Sequence, residues 1–361
     1  MSTSGPLVDI RDLHLQFNTF DGVSKVLAGV NLQLQRGDIM GLVGETGCGK
    51  TMTALSIPRL IPCPPGEIVK GEVLLAGEDV LQKSEAEMRE IRARRIGMIF
   101  QDPTTNLSPV FTIEQQMVDA VLCRLGQGSS VSINPFRGWI HSDKERRQQA
   151  RKTAISLLRR VGIHDAERRI TSYPHEFSGG MRQRVLIAMN LAGSPDLLIA
   201  DEPTTALDVS IQAQILSLIR DLVREFNLTV LMITHNLGVV AQVCNRVAVM
   251  YAGRVVETGD LRRVFKAPAH PYTASLLRAI PTRESAGRTL ADIPGSIPNL
   301  LSPPLGCRFN PRCPHVMPVC QAEPPPGMTF LESGHEVACH LYDGGGRPVL
   351  VASGGQVQID A

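Results

Sequence analysis

The sequence predicts an α/β fold, and three features carry that expectation. Some segments alternate apolar with polar residues, some short apolar runs are uninterrupted and end at loop residues, and stretches of helical periodicity lie between them. Strand, helix and strand at this spacing give a sheet with helices on its faces. A chain of 361 residues is too long for one compact core, which points to a large domain with a smaller appendage. Hydrophobic residues at 43% against 20% charged supply a sizeable core and argue against wholesale disorder.

The elements follow in chain order. Val8 and Ile10, then Leu13, Leu15 and Phe17, alternate with polar residues, as do Val30, Leu32 and Leu34. Both stretches predict half-buried antiparallel strands. Ile39 to Val43 is a short apolar run ending at glycines, the form of a fully buried strand. Further strands are expected at 196–200, 229–233 and 247–251. Ile211, Ile215, Leu218, Ile219, Leu222 and Phe226 recur at helical spacing and predict an amphipathic helix after Asp208.

Composition changes near residue 265. Fourteen of the 25 prolines lie between Pro268 and Pro348, and four of the eight cysteines fall between 307 and 339. A first domain of 1–265 and an extension of 266–361 are therefore expected. The charge balance of 37 basic against 35 acidic residues, or +2, gives no general basic field for nucleic acid. No apolar run approaches the roughly 18 to 20 residues that span a bilayer. The first residues, MSTSGPLVDIRDLHL, lack a basic-then-apolar leader, so a cytosolic globular protein is expected.

Gly44-Glu45-Thr46-Gly47-Cys48-Gly49-Lys50-Thr51, followed by Met52, fits a phosphate-binding loop between a buried strand and a helix. Its glycines let backbone N–H groups approach phosphates, with the helix N-terminus behind them. Lys50 is expected on the β- and γ-phosphates of ATP and Thr51 on Mg²⁺. An acidic residue ending a second buried strand should complete the site, and Asp201-Glu202 ends Leu197–Ala200. Asp201 is assigned to Mg²⁺, and Glu202 to polarising the attacking water. Cys48 reads as a small spacer within the loop.

Phe177-Ser178-Gly179-Gly180-Met181 resembles the signature sequence of ABC transporter ATPases, in the form found in their oligopeptide/dipeptide importer branch. The family's other marks follow in order. Gln101 in IFQDP resembles its Q-loop glutamine, which the family places on Mg²⁺ and the water. Ala206-Leu207-Asp208 resembles the D-loop and His235 the switch histidine. Phe17 stands where the family stacks an aromatic on adenine. The resemblance covers nearly the whole chain. It implies a P-loop NTPase (RecA-like) core, an antiparallel β subdomain, a helical subdomain over about 102–178, and a small Cys/Pro-rich C-terminal extension. Three positions depart from the family pattern: Asn236 follows the switch histidine, where Asp is usual, and Asn106 and Ser108 are exchanged relative to TSLNP.

What the resemblance implies about function is specific. In the family the signature faces the nucleotide of a partner ATPase, so ATP is sandwiched between two subunits and its hydrolysis drives a membrane pathway. Expected partners are a second, non-identical ATPase, two transmembrane permeases and an extracytoplasmic solute-binding protein. The expected location is peripheral, on the cytoplasmic face of the inner membrane. Short peptides are the default cargo by resemblance. A soluble ABC ATPase acting on ribosomes or DNA is the alternative; such ribosomal proteins generally hold two ATPase domains, and this sequence has one phosphate loop. A small-molecule kinase would have no use for the SGG signature.

Two segments carry other expectations. Arg137 to Arg160 holds eight Lys/Arg against Asp143 and Glu145, a local +6. A solvated helix face beside an insertion at 124–150, which includes Trp139, is favoured over contact with anionic lipid or an acidic permease loop. No interleaved aromatics suggest RNA. In the extension, HPYTASLL and IPGSIPNL resemble that of oligopeptide/dipeptide ATPases. Cys307, Cys313, Cys320 and Cys339 could hold zinc, a [4Fe–4S] cluster or nothing, and their spacing does not decide. The resemblance favours the cluster, and a proline-rich segment poor in apolar residues would gain from such a staple.

Overall fold

The computed structural model describes residues 5–101, 106–124, 142–205, 207–280, 293–322, 324–331 and 334–342. Thr105, Trp139 with most of the insertion, and Ala206 lie outside the described residues. Contacts divide the chain into two compact units, one drawn from residues 1–81 and 233–361 and the other from 82–232. The extension expected from residue 266 thus shares a unit with the phosphate loop.

The first unit opens with β1 (Val8–Thr19) and β2 (Gly22–Leu34), the two alternating segments. They pair antiparallel, with Val8 opposite Leu34 and Leu13 opposite Val30, and the predicted apolar face is buried. The fully buried β3 (Ile39–Val43) leads through the glycine loop into α1 (Lys50–Ser56). Then β4 (Gly66–Leu75) pairs with the other side of β1, and β5 (Glu78–Asp79) closes a four-stranded antiparallel sheet in the order β2-β1-β4-β5.

The second unit begins with α2 (Glu85–Arg94), started by a capping box in which the Ser84 and Glu87 side chains satisfy each other's backbone N–H groups. β6 (Ile96–Ile99) follows, then α3 (Ile113–Arg124), α4 (Ser142–Arg160), the short α5 (Ala166–Arg169) and α6 (Gly179–Leu191). Buried β7 (Leu197–Asp201) runs parallel to β6, with Ile96 opposite Leu197. The predicted amphipathic helix is α7 (Val209–Phe226), which ends at left-handed Asn227. Leu216 and Val223 join its buried face, while Leu218 and Phe226 are only half-buried. β8 (Thr229–Ile233) closes this stretch. Basic residues of α4 pair within the unit, Arg151 with Glu114 at 2.9 Å and Arg160 with Glu225 at 3.1 Å. That fits the solvated-face reading.

The chain then returns to the first unit through α8 (Leu237–Val243), β9 (Arg246–Tyr251), β10 (Arg254–Asp260), α9 (Leu261–Lys266) and α10 (Pro271–Arg278). β9 runs parallel to β3 and antiparallel to β10. Two-residue strands β11 (Thr329–Phe330) and β12 (Glu336–Val337) extend this sheet beyond β10, with Val337 opposite Glu257. The tail therefore adds strands to the sheet instead of standing apart. It has a small core of Ala269, Val337, Cys339 and Leu341.

A buried carboxylate pins this arrangement. Glu257 on β10 has no exposed surface and accepts from the backbone N–H of Ala269 (2.8 Å) and His270 (2.9 Å) and from the His335 ring (2.7 Å). His270 in turn caps α10, its Nδ1 accepting from the Tyr272 N–H at 3.0 Å. Burial lowers the His270 pKa from 6.5 to about 4, against the opposing pull of Glu257. The ring is therefore neutral in the fold, and the unfolded chain takes up the proton first as pH falls. Stability from this residue is complete above about pH 6.5 and is lost on the way to pH 4; by pH 5 the loss is about 2 kcal/mol. Thermal unfolding between pH 7 and 5 should show a shallower fall for His270→Asn, which keeps a capping oxygen. Equal slopes for variant and wild type would contradict the assignment.

Candidate functional site

Each unit builds its own half of the predicted nucleotide chemistry. In the first, the loop from Gly44 to Gly49 turns on left-handed glycines, with φ of 150° at Gly44, 82° at Gly47 and 104° at Gly49. A Cβ at Gly44 would lie 2.1 Å from the Met250 carbonyl oxygen, so only glycine fits. The Lys50 ammonium, buried at the start of α1, donates to the carbonyls of Gly44 (2.8 Å) and Glu45 (2.9 Å). Thr51 and Met52 lie half-buried on the same turn, and Thr46 and Gly47 are exposed at the loop tip. The loop's remaining N–H groups and the helix start suit an anion. Cys48 is fully buried, and burial pushes its thiol pKa up, which fits a spacer and not a reactive thiol.

Two more predicted residues belong to this unit. Phe17 is half-buried near the end of β1. His235 is exposed between β8 and α8. The Asn236 departure has a structural use: its side-chain oxygen caps α8, accepting from the N–H groups of Gly238 (2.9 Å) and Val239 (3.3 Å). Aspartate would do the same, so the exchange keeps the cap.

The second unit gathers the acidic and signature residues. Asp201 is buried at the end of β7, and Glu202 follows in a left-handed conformation with φ of 47°. Strain of this kind persists only where the surroundings impose it. The Glu202 carboxylate accepts from Gln101 Nε2 at 3.0 Å and from Thr205 Oγ1 at 2.9 Å. Three predicted residues, Gln101, Asp201 and Glu202, are thereby neighbours although 100 residues separate them in sequence. Ser178 caps α6, its hydroxyl accepting from the Met181 N–H at 3.4 Å, so the signature does open a helix. Gly179 is half-buried, and a Cβ at Gly180 would lie 2.5 Å from Ile211 Cγ2. Asp208 begins α7.

Sequence reasoning missed two residues that act on the phosphate loop. The Glu45 N–H donates to the Tyr272 hydroxyl at 2.9 Å, and its carboxylate accepts a forked pair from Arg312 at 2.8 and 3.1 Å. The bond to Glu45 raises the Arg312 pKa further. These partners lie 227 and 267 residues away in sequence, and neither carries a local signal of the contact.

The four extension cysteines are free thiols, with Cys320 and Cys339 buried and Cys307 and Cys313 half-buried. Burial is the first cause of the raised pKa values of Cys307, Cys313 and Cys339, to about 11 for Cys313 and about 12 for Cys339, and nearby thiolate charge adds to it at all three. They therefore lie within electrostatic reach of one another. Among the described residues, however, no group of three or more His, Cys, Asp or Glu stands as one that could hold a metal ion. The expectation of zinc or an iron–sulfur cluster finds no support in that geometry.

Within the second unit, the side-chain oxygens of Gln101 and Asp201 are the kind a hard cation such as Mg²⁺ takes. Among the described residues no helix is long and apolar enough to cross a membrane.

Comparison with known proteins agrees with the motif order. A family pattern described as ABC transporter matches residues 27–205, and one described as the C-terminal region of oligopeptide/dipeptide transporters matches 256–320. The chain is 48% identical to a probable peptide ABC transporter ATP-binding protein of Sinorhizobium fredii, over 92% of this chain and 94% of that one. It is 46% identical to the oligopeptide transport ATP-binding protein OppD of Bacillus subtilis, over 93% of this chain and 88% of that one. Among solved structures it is similar to a dimeric ATP-binding cassette in a post-hydrolysis state with ADP and Pi. That match has a TM-score of 0.56 and 27% identity, over 71% of this chain and 99% of the other.

Replacing Glu202 by Gln keeps the contacts to Gln101 and Thr205 possible while removing the basic oxygen. Steady-state ATP hydrolysis should fall roughly 100-fold or more while ATP still binds. Undiminished turnover would remove Glu202 from its assigned role.

Proposed function

Because this chain belongs to the ABC transporter ATP-binding proteins of the oligopeptide/dipeptide type, we propose that it powers uptake of short peptides as one of two non-identical ATPase subunits. It binds and hydrolyses ATP. Two permeases and an extracytoplasmic binding protein complete the proposed assembly, with this chain peripheral on the cytoplasmic face of the membrane. The peptide cargo rests on the names of its relatives.

The observation that carries the reading is a pair of phosphate-suited features in one chain. The loop before α1 would serve any nucleotide hydrolase, but the helix start at Ser178, Gly179 and Gly180 has a use only beside a second nucleotide. A sandwich of two ATPases gives it one, each closed site taking its phosphate loop from one chain and its signature from the other. The solved cassette with ADP and Pi is dimeric, which supports that arrangement.

In the proposed site the loop N–H groups and Lys50 hold the β- and γ-phosphates, and Phe17 stacks on adenine. Thr51, Gln101 and Asp201 would hold Mg²⁺, which neutralises charge on the phosphate oxygens. Glu202, steadied by Gln101 and Thr205, takes up the proton of the attacking water. His235 orients that water and the γ-phosphate, Met181 continues the signature, and Asp208 serves the D-loop contact. Phosphoryl transfer depends on positioning and charge neutralisation, which residues fixed at strand and helix ends supply.

A [4Fe–4S] cluster on Cys307, Cys313, Cys320 and Cys339 is the finer part of this reading, its role that of a staple. The four free cysteines of the extension are the residues such a cluster would use.

Anaerobic affinity purification from native membranes tests both parts. Recovery of two permeases, a second ATPase and a binding protein is expected, with iron that disappears when the four cysteines become serine. Ribosomal proteins in place of permeases would overturn the transport reading. Equal iron in wild type and the serine variant would overturn the cluster.

A further inference from the structure

Every polar group of Glu45, the second residue of the phosphate loop, is engaged. Its N–H donates to the Tyr272 hydroxyl at 2.9 Å and its carbonyl accepts from Lys50 Nζ at 2.9 Å. Its carboxylate accepts from Arg312 Nη1 at 2.8 Å and Nη2 at 3.1 Å. Two of these three partners come from the extension, which no assigned role connects to the nucleotide. Arg312 is itself firmly placed, its side chain only 5% exposed. It also donates to the carbonyls of Ile293 (3.0 Å) and Pro294 (2.8 Å) and lies over the Tyr251 ring at 5.8 Å. Next to it Phe309 is buried among Tyr251, Tyr272 and His270, with ring centroids 5.1, 5.4 and 5.7 Å away. Arg308 bonds the carbonyls of Lys25 (3.3 Å) and Ala252. The adjoining Gly253 N–H donates to the Cys48 carbonyl at 2.8 Å. The segment from Arg308 to Arg312 is therefore braced against the loop at both ends.

We propose that Arg312 and Tyr272 are positioning residues of the ATP site, Arg312 neutralising and holding back the Glu45 carboxylate and Tyr272 fixing the Glu45 backbone. A carboxylate in the phosphate loop repels a triphosphate, and a released one is placed to capture the Lys50 ammonium that already bonds the Glu45 carbonyl. The guanidinium fork occupies both carboxylate oxygens and prevents either outcome. Tyr272 takes up a part-buried backbone N–H that has no partner within the loop. The extension thus belongs to the nucleotide half-site of its own unit. The inference rests on the ATPase reading and assigns new residues to it.

The test measures MgATP binding to the full-length chain by calorimetry, together with KM and kcat in the assembled transporter. Arg312→Ala should weaken MgATP binding and raise KM roughly tenfold, with kcat at saturating ATP within about twofold of wild type. Adding Glu45→Gln to that variant should bring binding back to within about threefold of wild type, because no charge is left to repel. A merely structural loss of the extension would not be repaired in this way. Tyr272→Phe, which keeps the ring packing, should weaken binding severalfold, and Glu45→Gln should not repair it, since the backbone N–H of residue 45 lacks its acceptor in both. Wild-type affinity in Arg312→Ala, or a double variant no better than the single one, overturns the proposal. A wild-type chain that binds no MgATP would instead refute the ATPase reading beneath it.

Discussion

A phosphate-binding loop must turn its N–H groups toward an anion while its carbonyls and side chains are held elsewhere, and backbone polar groups left without partners are costly. In this chain that constraint falls on Gly44 and Glu45. The Met250 carbonyl leaves no room for a Cβ at Gly44, and Glu45 is tied by Lys50, Tyr272 and Arg312. Much of the first unit serves those contacts. β9 supplies Met250 and Tyr251, α10 supplies Tyr272, and Phe309 wedges the arginine-bearing segment between them. Glu257, accepting from three N–H donors, fixes the start of α10 and so the position of Tyr272.

The sheet strands and the nucleotide motifs were legible because each is written in local pattern. Alternation gave β1 and β2, uninterrupted apolar runs gave β3, β7 and β8, and the SGG segment opens a helix as its sequence requires. The Gly-Lys-Thr motif between a buried strand and a helix located the loop before α1. The joining of Gln101 to Glu202 could be expected only through family resemblance, since no periodicity links residues a hundred positions apart.

The extension was read least well, for a physical reason. β11 and β12 are two residues each, too short for alternation to register, and they form because β10 offers an edge to pair with. The shift in proline content marks a compositional boundary near residue 265 and says nothing of what the extension packs against. Long-range pairing makes the extension part of the first unit. Arg312 carries no local signal of its role, because its partner Glu45 lies 267 residues away in sequence.

If the phosphate loop and the extension form one cooperative piece, they should open together. Native-state hydrogen exchange of the full-length chain, followed in peptides spanning 44–50, 269–278 and 305–313, measures that directly. A common opening free energy is expected for the three peptides, with MgATP slowing exchange in all of them. Extension peptides that exchange faster than the loop and do not respond to MgATP would contradict it.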